Sequence, residues 1–418
     1  MKICPPAGGR PRRVAHLDMD AFFASVTLLQ YPQLQSLPVV IGGERLTPEA
    51  LVARINAHHP DAGCQADALH AIRPEHFPRL ANYRGRGVST TATYAARRFG
   101  LSSGMGLTRS AHLCPDAILL PPDLDLYRKF SHAFKSIVRS VTPIVEDRGI
   151  DEIFIDVTDI PGVEDDGGRD LAERIQRMIR EGTGLHCSIG VAPNRLLAKI
   201  ASDLDKPQGI TILFPQDVQT RIWPLPCRYI NGIGPKTDAR LRALGIERIG
   251  QLAACDPACL MDHFGLRHGQ WLHEAAWGRD NSPVTSRSTP VTISCETTFA
   301  RDLHARHDRA ELSSIFSRLA EQAALALQNK GYAGRTVGIK LRYADFRTVS
   351  REQTFSTATQ DVTQIRQRAG MCLKRVDLSR RFRLLGIRVS ALECYDDDPH
   401  HAPAREPMPE SLQGTLPL

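Results

Sequence analysis

Apolar and polar residues change period repeatedly along the chain. Short apolar or alternating runs at Arg13–Asp18 (RVAHLD) and Leu37–Ile41 (LPVVI) predict strands, with a helix over Ala21–Gln30 between them. Gly42-Gly43 closes the second strand. Residues 44–84 read as an insertion. In it Thr47-Pro48 supplies an N-cap and a first-turn proline for a helix through Ala57, while Pro60, Pro74 and Pro78 break the remainder into loop. From Gly87, GVSTTATYAARRFG turns from strand to helix, and Leu101–Pro122 holds a short helix and a strand (AILLP). A helix over Tyr127–Val141 precedes a strand pair around Glu146–Thr158. Then come an amphipathic helix over Arg169–Arg180, a strand His186–Val191, a helix Arg195–Leu204 and a strand Ile210–Phe214. Strands interleaved with helices in this order predict an α/β sheet with helices packed on it.

The pattern changes near Pro215. Residues 215–280 read as compact and helical, with glycine turns at Gly232, Gly234, Gly245 and Gly265, and Asp280–Pro290 has linker chemistry. A second unit follows. Its helix over Asp308–Lys330 puts Leu312, Ile315, Phe316 and Leu319 on one face and stops at Gly331. Two strands alternate strongly, through Val337, Ile339, Leu341 and Tyr343 and through Leu385, Ile387 and Val389. Lys340, Arg342 and Arg388 fall on the other side, which predicts one apolar and one basic sheet face. The tail from Tyr395 is Asp/Pro/His-rich and predicted to be disordered.

Charge sharpens this division. Residues 287–393 hold 19 Lys and Arg against 10 Asp and Glu, a net +9; the whole chain of 418 residues is +7, so the rest carries −2. A positive excess confined to one unit points to a nucleic-acid-binding module. The ten cysteines form no CxxC pair, which implies reduced thiols, and Cys255 and Cys259 fit helix packing better than metal. Met1–Arg13 has no apolar secretory core, and no stretch has the apolar length of a membrane span, so a cytoplasmic protein without a membrane partner is expected.

Two acidic clusters carry the candidate chemistry. Asp18-Met19-Asp20 sits where a strand ends and a helix begins, and Asp151-Glu152 opens the strand DEIFIDV. Carboxylates at strand ends are hard oxygen ligands of the kind two-metal phosphoryl transfer requires. Neighbouring strand residues face opposite ways, so Asp151 and Glu152 reach one site only if the chain turns there, and Gly149 permits that turn. Taken alone, the same acids also fit a capped hairpin turn.

Four long motifs in one order settle on a resemblance. HLDMDAFFASV, GVSTTATYAARRFG, GIDEIFIDVTD and LLAKIASDLDKPQG stand in the order seen in Y-family, lesion-bypass DNA polymerases, with a match close to the bacterial DNA polymerase IV subgroup; the likeness covers roughly residues 12–393 apart from the insertion. It implies an α+β, right-hand polymerase. The ferredoxin-like palm would take residues 12–21 and 125–214, and small fingers 22–124 with the insertion at 44–84. A helical thumb would take 215–284, an α/β little finger 287–393 and a disordered tail 394–418. It implies low-fidelity translesion synthesis on primer–template DNA from dNTPs, by a monomer using two Mg²⁺ ions. Asp18 and Asp151 would bridge the metals, the Met19 carbonyl would bind the nucleotide-side metal, and Glu152 would lie near the primer 3′-hydroxyl. Thr91, Tyr94, Arg97 and Lys206 match triphosphate-binding positions, where two cations and two hydroxyls neutralise developing phosphate charge. Phe22 and Phe23 match the sugar pocket, with Phe23 the steric gate against a 2′-hydroxyl.

The chain departs from the family at Gly149, where serine is usual, and in the long insertion, whose His58, His59, Cys64, His70 and His76 lack a standard zinc spacing. INGIGPKTDARLRALG (Ile230–Gly245) reads as a helix–hairpin–helix. Gly232, Gly234 and Lys236 there would hold DNA backbone, and Lys340, Arg342 and Arg388 would do so in the little finger. Gln413-Gly414-Thr415-Leu416-Pro417-Leu418 resembles the peptide by which bacterial polymerases dock on the sliding clamp, with Gln413, Leu416 and Leu418 as its anchors. No separate run of acids suggests a proofreading exonuclease. Two rivals remain: a catalytically dead DNA- and clamp-binding scaffold, which need not keep Asp18, Asp151 and Glu152, and a helix–hairpin–helix nuclease, which leaves Phe23, Tyr94 and Arg97 unexplained.

Overall fold

The computed structural model describes residues 10–286 and 289–395. The chain divides into two compact units, Met1–Arg287 and Ser288–Leu418. The first opens with strand β1 (Val14–Met19) and the helix Phe22–Leu28, followed by β2 (Val39–Gly42), β3 (Ser89–Ala92) and β4 (Ile118–Leu120). After the helix Leu124–Val141, β5 (Val145–Asp147) and β6 (Glu152–Asp156) form a hairpin. The helix Arg169–Thr183, β7 (Cys187–Ala192), the helix Arg195–Leu204 and β8 (Ile210–Ile212) complete the motif-bearing region. These elements match the predicted ones to within a few residues.

The main sheet has the order β5-β6-β1-β7-β8. β1 is antiparallel to both β6 and β7, and only β7 and β8 run parallel. Antiparallel pairing at its centre makes this unit α+β, the class implied by the resemblance, rather than a parallel α/β sheet. The period of two then sorts the side chains. Ala15, Leu17, Met19, Ile153 and Ile155 share one core with Phe134, Val138, Ile175 and Ile179 of the helices Leu124–Val141 and Arg169–Thr183. Val14 and Phe154 pack on the other side with Leu197 and Ala198 of the helix Arg195–Leu204. This helix lies very close to β7 because Gly190 has no side chain: a Cβ there would overlap the Ser202 nitrogen and the Ala198 carbonyl.

A smaller sheet, β3-β2-β4, pairs β2 antiparallel with β3 and parallel with β4. The insertion packs on this region instead of looping away from it. Its helix Pro48–His58 starts as expected, with Thr47 accepting from the Ala50 amide. Beyond it, four 3-10 turns replace the predicted loop. Ile72, Phe77 and Leu80 are buried, and Phe77 stands edge-on to Tyr31 at 5.6 Å. Residues 78–81 then run beside β4, with the Leu119 amide donating to Pro78 O and the Leu80 amide to Ala117 O. The prolines set turns here, but apolar burial decides where the turns sit.

Residues 215–286 form a helical region with helices Pro235–Ala243, Ile249–Ala254, Pro257–Phe264 and Leu266–Ala276. Gly232 adopts φ 111°, and its missing Cβ leaves room for the Trp271 ring, 2.8 Å from where that atom would lie.

The second unit holds β9 (Thr292–Leu303), β10 (Tyr332–Tyr343), β11 (Thr348–Thr359) and β12 (Phe382–Cys394) in the order β11-β10-β12-β9, every pair antiparallel. The helices Arg309–Gln328 and Val362–Leu373 share its core, where Leu312, Phe316, Leu319 and Ile365 meet Val337, Ile339, Leu385 and Ile387. The predicted basic face needs correction. Lys340 pairs with Glu296 of β9 at 2.7 Å, and Glu352 of β11 lies in register opposite Gly338. Neither acid lies on the two strands whose alternation gave that face its basic character, so it is mixed in sign. Among the described residues, no helix is long and apolar enough to cross a membrane.

Candidate active site

The register of β1 against β6 sets Asp18 directly opposite Glu152. Both project, with His16 and Phe154, to the side covered by the helix Arg195–Leu204. Asp151 precedes β6 in a bend, as the alternation rule demands if it is to share a site with Glu152. That bend is tied from several sides. The Met19 amide donates to Asp151 O at 3.1 Å, the Arg148 amide to Glu152 O at 3.0 Å, and the buried Lys135 ammonium to Gly149 O at 2.6 Å. A Cβ at Gly149 would meet only Asp151 Oδ1, at an ordinary 3.6 Å. Gly149→Ser is therefore expected to melt within about 2 °C of the wild type. A fall of more than about 5 °C in a thermal melt would show that the turn depends on the bare glycine.

At the other end of β1, Ala21 takes a left-handed conformation (φ 45°, ψ 44°), a strained choice for a residue with a Cβ. This bend swings the chain straight into the next helix, so that Asp18 and the ring of Phe23 line the same cleft. Phe22 is 3 % exposed and packs edge-on to Phe134, whereas the half-buried Phe23 stacks on Tyr127 with centroids 4.3 Å apart and planes 21° apart. One cleft is lined by Asp18, Met19, Phe22, Phe23, Thr91, Tyr94, Arg97, Asp151, Glu152 and Lys206. All ten residues expected at the metal and nucleotide positions thus converge. Gly232, Gly234 and Lys236 lie outside it, Lys340, Arg342 and Arg388 belong to the second unit, and Gln413, Leu416 and Leu418 fall outside the described residues.

Lys199 was not picked out from the sequence, and Asp20 was read there only as a member of the first acidic cluster. Lys199 bridges the acids, 2.8 Å from Glu152 Oε1 and 3.3 Å from Asp18 Oδ2. Its signal was present: a lone cation among the apolar residues of LLAKIA, on the helix face turned to the sheet. Asp20 acts as a strut, accepting from Tyr94 OH (3.2 Å), Ser188 Oγ (2.9 Å) and the Gln208 amide (2.8 Å), and so joins three chain segments.

Lys206 stands 2.7 Å from Asp18 Oδ2 and 2.9 Å from Asp203 Oδ1. Arg97 donates from Nε to Ala92 O and lies over the Tyr94 ring. Burial alone would lower the pKa of Lys199 and Lys206, but the neighbouring carboxylates outweigh it and hold both ammonium groups charged. Burial also works against ionised Glu152, yet the His16 ring and the Lys199 ammonium more than offset it and keep that carboxyl below its usual range. Asp151 has no such partner. Burial first, then the charges of Asp18 and Glu152, push its pKa up to about 6.

Among the described residues, no three His, Cys, Asp or Glu side chains are grouped closely enough to hold a metal ion as they stand. The donor chemistry nevertheless fits a hard divalent cation: carboxylate oxygens from two strand ends, one of them held with its negative charge uncompensated. In the insertion, His59 and His76 face one another at 5.0 Å without building such a cluster.

The chain is similar to known proteins over most of its length. Residues 17–203 match the impB/mucB/samB family, residues 290–402 the C-terminal domain of that family, and residues 215–246 its helix–hairpin–helix motif. A DNA polymerase IV of Alkalilimnicola ehrlichii is 35% identical over 390 residues, which cover 93% of this chain and 97% of that protein. One from Methanoculleus marisnigri is 36% identical, covering 91% and 95%. Among solved structures, a Y-family DNA polymerase chimera (Dbh-Dpo4(243-245)-Dbh) superimposes with a TM-score of 0.71 at 24% identity, over 91% of this chain and 98% of that one, a likeness of fold.

Proposed function

The chain belongs to the impB/mucB/samB family, the Y-family DNA polymerases, and from that membership we infer that it is a DNA-directed DNA polymerase adding dNTPs to a primer 3′-hydroxyl, including opposite damaged template bases. One observation carries the reading. Three acids, two cations and a flat aromatic ring line a single cleft, although they come from four separate stretches of chain. A scaffold or a nuclease has no use for that combination.

Asp18, Asp151, Glu152 and the Met19 carbonyl are the groups that would hold two divalent cations, Mg²⁺ by the hardness of the oxygens; when bound, such ions stabilise charge on the phosphates and make the 3′-hydroxyl more acidic. The chain's own groups do the rest. Lys206 and Arg97 bring fixed positive charge to the triphosphate, and the Thr91 and Tyr94 hydroxyls donate to its oxygens. Lys206 is paired with Asp18 before nucleotide binds, so the arriving triphosphate competes for a cation already in place. Glu152, suspended from Lys199, would lie beside the primer terminus and orient its hydroxyl. Asp20 holds Tyr94 and the Lys206–Gly209 turn at fixed positions, so nucleotide contacts on separate segments need little reorganisation.

Primer–template DNA would be held through phosphates by Gly232, Gly234 and Lys236 of the thumb and by Lys340, Arg342 and Arg388 of the second unit, contacts that position the duplex without reading its sequence. The protein would work as a cytoplasmic monomer in damage tolerance, without proofreading. Primer extension with purified protein, Mg²⁺, four dNTPs and a primed template, undamaged or carrying a lesion, tests the whole reading. Binding of the duplex with no incorporation above that of an Asp151→Asn control would favour the scaffold instead. For the clamp peptide, deleting residues 413–418 is expected to leave synthesis on naked primer–template unchanged while abolishing stimulation by a loaded sliding clamp, since a tether acts through effective concentration. Equal stimulation with and without those residues would refute the docking role.

A further inference from the structure

His16 sits in the middle of β1, fully shielded from solvent, with Phe154 and Gly190 as its neighbours across the sheet. A central strand position of this kind calls for an apolar side chain, and a histidine there is costly unless both ring nitrogens find partners. One does: Nδ1 is 2.8 Å from Ser202 Oγ. The other, Nε2, is buried without a hydrogen-bond partner and points towards Glu152, 3.6 Å from Oε2.

Ser202 decides which nitrogen carries the proton. Its hydroxyl has a single hydrogen and two acceptors in reach, Lys199 O at 2.9 Å and His16 Nδ1 at 2.8 Å. If it donates to Lys199 O, Nδ1 must carry the ring proton, and Nε2 turns a bare lone pair on a carboxylate. If it donates to Nδ1, the proton sits on Nε2 and faces Glu152 Oε2. The second sets the Ser202 oxygen 2.9 Å from Lys199 O without a shared hydrogen, an opposition of two neutral dipoles, whereas the first sets a bare ring nitrogen against an ionised carboxylate and costs more. The remaining gap to a hydrogen bond is about 0.6 Å, within the reach of a small carboxylate rotation.

We infer that His16 is a positioning residue for Glu152. Its Nε2–H, set by Ser202, closes on Oε2 and fixes the carboxylate from beneath, so that Oε1, the oxygen beside Lys199, is the one presented to the reacting groups. The contact parallels the way outer partners orient ligating side chains elsewhere, where their loss costs about 10–100-fold in activity or metal affinity. The close approach that Gly190 permits is part of the device, since it brings Ser202 down onto the imidazole. This inference rests on the reading that Glu152 belongs to a polymerase site.

Two measurements test it. In ¹⁵N-histidine-labelled full-length protein, the ring resonances of His16, assigned by their loss in His16→Phe, are expected to show protonation at Nε2; protonation at Nδ1 overturns the inference. In single-turnover incorporation, His16→Phe keeps the ring against Phe154 but has no donor. It is expected to lower the maximal rate about 10–100-fold with the apparent Kd for dNTP changed less than about 3-fold. His16→Gln, which carries an amide N–H to roughly the place of Nε2, is expected to recover at least about a third of the wild-type rate. A folded His16→Phe variant that incorporates at the wild-type rate, or a Gln variant no better than Phe, also overturns it. Should His16→Phe fail to fold, the ring resonances are assigned by their loss in His16→Gln, and a rate for that variant below about a third of wild type overturns the inference. A wild type with Nε2–H that extends no primer would sink the polymerase reading and leave the His16–Glu152 contact standing.

Discussion

Asp151→Asn is expected to lower primer extension by about 10³-fold or more while making the metal-free protein more stable at neutral pH. The two effects share one cause. Burial and the charges of Asp18 and Glu152 hold the Asp151 pKa at about 6, against roughly 3.9 in an unfolded chain. A folded-state pKa above the unfolded one means that the fold prefers the protonated acid. Ionised Asp151 therefore destabilises the fold at pH 7.5, and the penalty fades as pH falls from above 6 towards 4. Asparagine removes it, for a gain of about 1–3 kcal/mol at pH 7.5 that shrinks towards pH 5. Glu152→Gln should lose activity to a similar degree with the opposite effect on stability. Its carboxyl is held below the usual range beside Lys199, so its charge stabilises the fold at neutral pH, and the amide leaves a buried ammonium short of a partner. Both variants should bind primer–template within a few-fold of wild type, because phosphate contacts elsewhere supply most of the affinity. Calorimetry in EDTA at pH 5 and 7.5, alongside extension assays, checks this pairing. An Asp151→Asn protein that melts below wild type at pH 7.5, or that still extends primers well, would show that Asp151 is not the uncompensated acid at the centre of the site.

The difference between these two acids was not legible in the sequence, where they are simply adjacent. What could be read was whatever depends on local period: the strands and helices of the first unit, the need for a bend before Glu152, and the N-cap at Thr47. The four motifs then supplied candidate roles, and the fold brings the ten metal and nucleotide candidates to one cleft. What could not be read depends on which segments meet. Lys199 shows in the sequence as a lone cation in an apolar run, but its partners do not, because they depend on helix-to-sheet distance, set by Gly190 on another element. Edge strand β11 was missed because most of its residues are exposed and it shows no alternation from which to infer a buried face. Its Glu352, and Glu296 from the other edge strand, are what turn the expected basic face into a mixed one. In the insertion, Pro60, Pro74 and Pro78 signalled breaks correctly, but nothing local revealed that Ile72, Phe77 and Leu80 would be buried.

Phe23→Ala is expected to raise ribonucleotide incorporation relative to deoxyribonucleotide incorporation by at least about 10²-fold while leaving a folded, active enzyme. Phe23 lies just past the Ala21 bend, on the wall of the cleft that also holds the acids. Its ring cannot easily yield, because it lies nearly flat on Tyr127, which is itself fully buried and bonded through its hydroxyl to Thr27 Oγ1 at 2.7 Å. A rigid face at the sugar position lets a deoxyribose pass but collides with a 2′-hydroxyl, and rejection by overlap can exceed what a single missing attraction gives. Removing the ring forfeits one stacking contact and part of a half-buried side chain, about 1–2 kcal/mol, which a stable fold tolerates. Phe22→Ala supplies the contrast. That ring is in the core between Tyr127 and Phe134, so its loss should cost about 3–5 kcal/mol and depress both activities together, without a shift in sugar preference. Single-turnover rates with paired rNTP and dNTP substrates, and melting temperatures of both variants, separate the outcomes. If Phe23→Ala folds, extends with dNTPs and still rejects ribonucleotides as the wild type does, then the stack on Tyr127 serves packing alone and sugar discrimination resides elsewhere in the cleft.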